Sequence, residues 1–392
     1  MRNYRAFLRE DNHMSNKGRP TRVMHIVTRM NTGGVAVLLA NLIRNFDPKE
    51  INAKLVIGNC DGTEEDYLEK IATDIPFIKI PSLQRAISPA KDFLALFALI
   101  SQIRDFKPDV IHTHTSKAGL LGRIAALIAA PSAKRVHTFH GHLLEGYFSK
   151  FKTSLLVKSE LILAKKTHRL IAMGNQVKND LIKVGIGKEG QYSVFFPGLT
   201  RAKLIPKLQA RTQLNLDLDS IYCLFVGRLT QIKRPDRLLD AVSVLRDRNV
   251  DIKFIVAGDG ELKDSVSTRI SSENLPVTLL GWQKDTSAAF SAADILVLCS
   301  DNEAVSLVLI EGSQYSLPLV STNVGSVSDV VIDHSTGYLT ESNPTDLANA
   351  IEKLVRDAQL RKLMGEAGKA RADQYFSLDR MINDHSDLYR SL

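Results

Sequence analysis

The sequence predicts an α/β protein of two Rossmann-like domains, each a parallel sheet wrapped by helices. Three observations carry this. The chain has 392 residues, more than the roughly 250–300 at which a single core stops growing, so two domains are expected. In both halves, short apolar runs of strand length end in polar or glycine-bearing turns and lead into helical patterns. In the second half, Glu303 and Glu311 follow the uninterrupted apolar run ILVLCS, residues 295–300. That places Glu303 at the carboxyl end of a strand, where open α/β sheets bind ligands, and Glu311 about two turns into the helix that follows.

Taken in order, the first 20 residues contain no apolar signal core and read as a polar tail, with Met14 an alternative start. The first domain is expected over residues 21–200. Its first strand, RVMHIV, runs into TRMNTGG and the helical VAVLLANLIRNF. Gly33 and Gly34 let backbone approach a ligand closely, and a helix amino end favours anions, so the turn suits phosphate. KLVIG (54–58) and IPFIKI (75–80) read as further strands and residues 90–106 as a helix. HTHTSKAGLLGRIAALIAAPSAKRVHTFHGH then forms a βαβ unit.

That unit holds five of the ten histidines, His112, His114, His137, His140 and His142. Paired histidines occur in zinc sites, but no carboxylate or cysteine ligands stand at matching spacing, so metal is not expected. His112 and His137 are expected in the sheet packing, and His114 and His140 at the carboxyl ends of their strands. There His140 faces the cleft, with a charge tunable near neutral pH.

From Tyr147 to Ala172 the chain mixes apolar residues with six Lys/Arg and one acid, Glu160. A basic amphipathic helix of this kind either lies on anionic lipid or packs on the core with a solvated basic face. A linker is expected over 201–218. It contains Asp217-Leu-Asp219, a DxD pattern that binds metal in one class of enzymes, here read as chance. The second domain is expected over 219–372. YCLFVGRLTQIKRP places Arg228 and Lys233 about a turn after a strand, positioned for a diphosphate. Later strands end at Gly258-Asp259-Gly260, at Gly281-Trp282 and at the glutamate pair. No GxGxxG follows the first strand, which argues against NAD or FAD.

Net charge is +8, unevenly spread: residues 1–200 carry 29 Lys/Arg against 17 Asp/Glu, the remainder 22 against 26. The first half therefore faces something anionic. With no nucleic-acid module and few aromatic platforms, a membrane surface is expected rather than nucleic acid. The three scattered cysteines form no pair or metal spacing, and no apolar run reaches the ~20 residues that span a bilayer. The expected location is cytoplasmic, peripheral on the inner face of the plasma membrane.

The early GG, VHTFHG, GRLxxxK, AGDGE and Glu-x7-Glu with its following Val-Gly turn together resemble glycosyltransferase family 4, across residues 21–392. The resemblance implies the GT-B fold, two facing Rossmann-like domains with a C-terminal segment, 373–392, crossing back to the first. It implies a retaining, metal-independent enzyme of bacterial surface-polysaccharide type. Such an enzyme moves a hexose or N-acetylhexosamine from a UDP-sugar to a lipid-linked or oligosaccharide acceptor, with no cofactor besides the nucleotide-sugar donor.

By the same resemblance His140, Glu303, Lys233 and Arg228 are the catalytic residues. Arg228 and Lys233 would hold the diphosphate, Glu311 the ribose, and Glu303 and His140 the donor sugar. Gly33, Gly34, Gly227, Gly258, Trp282, Ala304, Val305 and Ser306 would complete the donor site, largely through backbone. Ala304, Arg234, Ser326 and Ala36 depart from the family's usual residues, which bears on donor identity. The alternatives are a UDP-sugar 2-epimerase of the same fold and a catalytically silent sugar-nucleotide-binding protein.

Overall fold

The computed structural model describes residues 19–62, 64–141 and 150–392, with side chains of the last stretch described from 154 onward. The polar tail up to residue 18, His142 and Tyr147 lie outside the described residues. The first sheet is formed by β1 (Thr21–Val27), β2 (Ile51–Ile57), β3 (Phe77–Lys79), β4 (Val110–His114), β5 (Lys134–Phe139), β6 (Arg169–Ala172) and β7 (Tyr192–Val194). Between them run α1 (Gly34–Asn45), α2 (Tyr67–Lys70), α3 (Pro89–Phe106), α4 (Ser116–Ala129), α5 (Lys150–Ala164) and α6 (Asn175–Lys183). The strands lie in the order β3-β2-β1-β4-β5-β6-β7, paired in parallel throughout.

After α7 (Lys207–Gln213) the second sheet takes β8 (Tyr222–Val226), β9 (Lys253–Ala257), β10 (Val277–Gly281), β11 (Ile295–Leu298), β12 (Leu319–Thr322) and β13 (Gly337–Thr340). Its helices are α8 (Pro235–Asp247), α9 (Lys263–Ser272), α10 (Ser287–Ala292), α11 (Leu307–Gln314), α12 (Pro344–Arg356), α13 (Ala358–Tyr375) and α14 (Leu378–Ser391). The order β10-β9-β8-β11-β12-β13 is again parallel. Helices cover both faces, which is why β11 and its neighbours read as unbroken apolar runs: all four β11 side chains are fully buried.

Strand order reverses at β1/β4 in one sheet and β8/β11 in the other. Loops leaving the carboxyl ends of such strands diverge and open a crevice. The loops after β1, β8 and β11 hold Gly33, Arg228 and Glu303, so topology alone brings the expected site residues to facing edges.

The chain returns to the first domain through α14. Leu199 and the turn between α13 and α14 exchange backbone hydrogen bonds, Leu199 N to Phe376 O at 2.9 Å and Leu378 N to Leu199 O at 3.1 Å. Met381, His385 and Tyr389 are buried there. His112 Nδ1 on β4 and the Tyr389 hydroxyl lie 2.6 Å apart, tying the last helix to the centre of the first sheet.

The stretch from Tyr147 to Ala172 is not one helix. The helix α5 stops at Ala164, and residues 169–172 form β6 inside the sheet. Glu160 is fully buried and ion-paired with equally buried Arg123 of α4 at 2.5 Å. A buried pair satisfies two charges that would each be costly alone. The other face of α5 exposes Leu155, Lys158 and Ile162, and Lys165 is exposed just past its end.

Candidate active site

A cleft of about 530 Å³ lies between the domains. One wall is Asn31, Thr32 and Gly33 at the start of α1, with Val37, Glu64 and Glu65. The other is Gly227 and Arg228 after β8, Gly258 after β9, Trp282 after β10 and Glu311 on α11. The structure thus unites Gly33, Gly227, Arg228, Gly258, Trp282 and Glu311. Gly34 stands beside them, and a side chain there would meet Leu307 of α11 at 3.3 Å. The amino end of α1 has no capping side chain and no acid in its first turn, so its N–H dipoles are available to an anion.

Glycine is required at Gly258. Its φ is 156°, and an added Cβ would sit 1.9 Å from the Gly227 carbonyl oxygen. The two glycine turns therefore interlock, and the backbone around Arg228 is set by its neighbour strand. Arg228 is exposed.

Lys233 and Glu303 are joined as an ion pair. Ser300 donates to the same carboxylate oxygen, Oε1, at 2.6 Å. Arg234, next to Lys233, takes a left-handed conformation, φ 52°. Its guanidinium bonds Asp236 at 2.7 Å and Asp301 at 3.1 Å. That conformation would suit glycine, and the ion pairs hold arginine there.

The helix carrying Glu311 begins at Leu307, with Ser306 as its preceding cap residue. Glu311 therefore falls in the second turn rather than about two full turns in. Burial raises its carboxyl pKa to about 7. Val305 and Ser306 are buried, Val305 in the apolar core, so any ligand contact there is through backbone. Ala304 meets the first domain: a side chain on Gly141 would lie 3.6 Å from the Ala304 Cβ.

The histidines depart from the expectation in two ways. His114 does not emerge into the cleft but is 2% exposed. Its Nδ1 bonds His140 Nε2 at 2.9 Å and its Nε2 bonds His25 Nδ1 at 3.1 Å. His140 is also not poised near neutral pH, because burial lowers its pKa to about 4 and keeps the ring neutral. His137 turns to the opposite face and bonds Thr113 Oγ1 at 2.8 Å.

His25, His112 and His114 bring ring nitrogens within 4.8 Å of one another, the only such trio among the described residues. Both nitrogens of His112 are already bonded, to Tyr389 and Thr138, and both of His114 to histidines. Asp217 of the DxD pattern accepts bonds from Asp219 N, Ser220 and Lys253. These bonds make it a turn-stabilising residue remote from the cleft.

Asn31, Thr32, Glu64, Glu65, Gln283 and Thr286 line the cleft without having been expected. The acidic run EED after β2 was the visible signal for the glutamates. Ser300, three residues before Glu303, read only as the end of an apolar run, and His25 carried no signal because its partner His114 is distant in sequence.

Fold and site together define a GT-B glycosyltransferase. The chain belongs to this family: residues 32–198 match Glycosyltransferase Family 4 and residues 206–371 match Glycosyl transferases group 1. It is 31% identical to the UDP-Gal:alpha-D-GlcNAc-diphosphoundecaprenol alpha-1,3-galactosyltransferase of Escherichia coli, over 84% of this chain and 86% of that protein. It is 25% identical to the capsular polysaccharide biosynthesis glycosyltransferase CapM of Staphylococcus aureus, over 94% and 97%. Among solved structures, Anabaena HepE in complex with UDP-glucose superposes with a TM-score of 0.79 at 20% identity, over 95% of this chain and 100% of that one. The chain is accordingly a hexosyltransferase-type enzyme.

Proposed function

We propose that this enzyme transfers a hexose or N-acetylhexosamine from a UDP-sugar to a lipid-linked or oligosaccharide acceptor during surface-polysaccharide synthesis, with retention at the sugar and without a metal. The observation that carries the reading is the convergence of Arg228, Glu311 and the free amino end of α1 on one interdomain cleft. A departing nucleoside diphosphate gains negative charge as the glycosidic bond breaks. Arg228, Lys233 and the α1 amides are suited to stabilise it without a cation. Glu311 suits the ribose diol, since a carboxylate accepts two hydroxyl bonds at once. Retention would follow from acceptor attack on the face the diphosphate leaves, with the phosphate taking the acceptor's proton.

The relatives support the donor and acceptor classes. The Escherichia coli relative uses UDP-Gal and a diphosphoundecaprenol-linked sugar by its name, and HepE has been crystallised with UDP-glucose. No helix among the described residues is long and apolar enough to cross a membrane. Contact with an anionic bilayer would fall to the exposed face of α5, where Leu155 and Ile162 flank Lys158, with Lys165 just past the helix end. Near the start of α3, exposed Ile87, Phe93, Leu94 and Phe97 would add to it.

The test is a titration with UDP in the presence of EDTA, followed by incubation with UDP-hexoses and a diphosphoundecaprenol-linked sugar. A new α-glycoside supports the reading. An isomerised nucleotide sugar would instead identify an epimerase, and UDP binding without a product a silent binder.

A further inference from the structure

We propose that His25 and His114 are positioning residues that hold His140 in its Nδ1–H tautomer, making it a fixed hydrogen-bond donor toward a hydroxyl of the bound sugar. The three rings form one line. His25 Nδ1 meets His114 Nε2 at 3.1 Å, and His114 Nδ1 meets His140 Nε2 at 2.9 Å. The line leaves one unbonded nitrogen at each end, His25 Nε2 and His140 Nδ1, both buried.

Burial lowers the pKa of all three rings, so each is neutral, with one donor and one acceptor nitrogen. A chain of neutral imidazoles has only two polarities. If hydrogens point toward His25, its Nε2–H is left without an acceptor. His25 is fully buried, with the Phe46 ring 6.1 Å and the Tyr389 ring 6.0 Å away. The Tyr389 hydroxyl is already bonded to His112. Among the described residues, no acceptor lies within hydrogen-bond reach of that nitrogen.

If hydrogens point the other way, His25 Nδ1–H donates to His114, His114 Nδ1–H donates to His140 Nε2, and the free hydrogen sits on His140 Nδ1. His140 lies beside Gly141, at the seam where the first domain meets Ala304 of the second. On the donor-sugar reading of the cleft, a bound sugar would supply an acceptor there. Either polarity leaves one N–H unbonded in the free protein; it is less costly on His140, which is only partly buried, than on fully buried His25, so the second polarity is selected. The tautomer of one imidazole nitrogen follows from the bond made by the other. The register of β1 and β4, His25 beside His112 and Val27 beside His114, sets the rings in line.

The role toward sugar rests on the donor-sugar reading of the cleft, whereas the tautomer does not. The decisive measurement is a long-range ¹H–¹⁵N spectrum of the histidine-labelled protein without ligand, which distinguishes protonated from bare ring nitrogens. The expected result is His140 with Nδ1 protonated and Nε2 bare; the opposite assignment overturns the proposal and needs no variant. His114→Leu should abolish that signature and lower kcat about tenfold, the kinetic equivalent of one lost hydrogen bond, at near-constant UDP affinity. His114→Asn, whose amide stands near the position of Nδ1, should restore much of both. A His114→Leu enzyme with unchanged tautomer and unchanged kcat overturns the relay. If the tautomer is as expected and no UDP-sugar is turned over, the donor reading and the sugar-facing role fall together, and the tautomer assignment stands.

Discussion

Lys233 and Glu303, 70 residues apart in sequence, are ion-paired between the loop after β8 and the loop after β11. These are the loops at which the strand order of the second sheet reverses. The pair thus fastens the two loops that flank this crevice, and Ser300 holds the same carboxylate oxygen. On the proposed donor site, a diphosphate would offer Lys233 a competing anion and free Glu303 for the sugar.

Lys233→Ala should therefore weaken UDP binding by about 10- to 100-fold, the worth of a charge-assisted hydrogen bond. Glu303→Gln should keep or improve UDP affinity, because Lys233 loses its internal partner, while turnover falls. Calorimetric titration of both variants checks this. Unchanged UDP affinity in Lys233→Ala would remove the residue from the diphosphate site.

Glu311 gives a pH dependence with a definite sign. Its pKa in the folded protein is raised by burial to about 7, above the usual carboxyl value near 4.3. The folded state thus holds a proton that the unfolded state has released. The stabilisation this gives is complete below about pH 4 and is lost as pH rises through 7. Glu311→Gln should unfold at a higher temperature than the parent at pH 8 and show little difference at pH 5. The pH 8 gap should be at most about 2 kcal/mol, because the side chain is partly solvated. Ribose hydroxyls favour the ionised carboxylate, so UDP binding near pH 6.5 should release a proton. Titrations in buffers of different ionisation enthalpy would reveal it, and no proton release would separate Glu311 from the ligand.

The sheet strands and the cleft glycines were legible because each is a local signal: an apolar run, then Gly227, Gly258 or Gly281 where the strand stops. Arg228, Lys233 and the two glutamates were legible as chemistry next to such stops. The histidine line was not, since His25 reads as an ordinary residue inside RVMHIV. Only the parallel register of β1 against β4 aligns its ring with His114. The end of α5 was missed for a different reason. Lys165-Lys166-Thr167-His168 contains neither glycine nor proline, and the helix stops there because β6 must enter the sheet beside β5.

Arg234 tests the cost of a left-handed arginine. Arg234→Gly relieves a backbone penalty of about 1 kcal/mol, and it loses pairs to Asp236 and Asp301 that are partly exposed and worth up to about 1 kcal/mol each. Asp301 keeps its bond from Arg237 at 2.6 Å. The glycine variant should therefore lie within about 1 kcal/mol of the parent. Arg234→Ala keeps the strain, loses the pairs and should be less stable than the glycine variant by about 1 kcal/mol. Urea midpoints compare them, and equal destabilisation would show that backbone strain is not a factor at this position.

Asp329 carries the last prediction, which concerns how the two domains are held. The helix α6 of the first domain begins at Asn175 and has no side-chain cap of its own. Its first amide donates to Asp329 Oδ2 at 2.7 Å, and the Asn175 side chain donates to Oδ1 at 2.7 Å. An acid of the second domain thus caps a helix of the first, with its charge at the positive end of the helix dipole. Gly174 permits the approach, for a side chain there would come within 2.5 Å of Ser326 Oγ. Asp329→Ala should cost about 1–2 kcal/mol, the worth of a cap, and speed hydrogen exchange at the first amides of α6. Asp329→Asn keeps one acceptor oxygen and loses the charge, so it should fall between the two. Because the cap forms only when the domains meet, the faster exchange in Asp329→Ala should not be reversed by UDP-sugar. Full restoration of protection by UDP-sugar would mean that ligand contacts, not this carboxylate, order the start of α6.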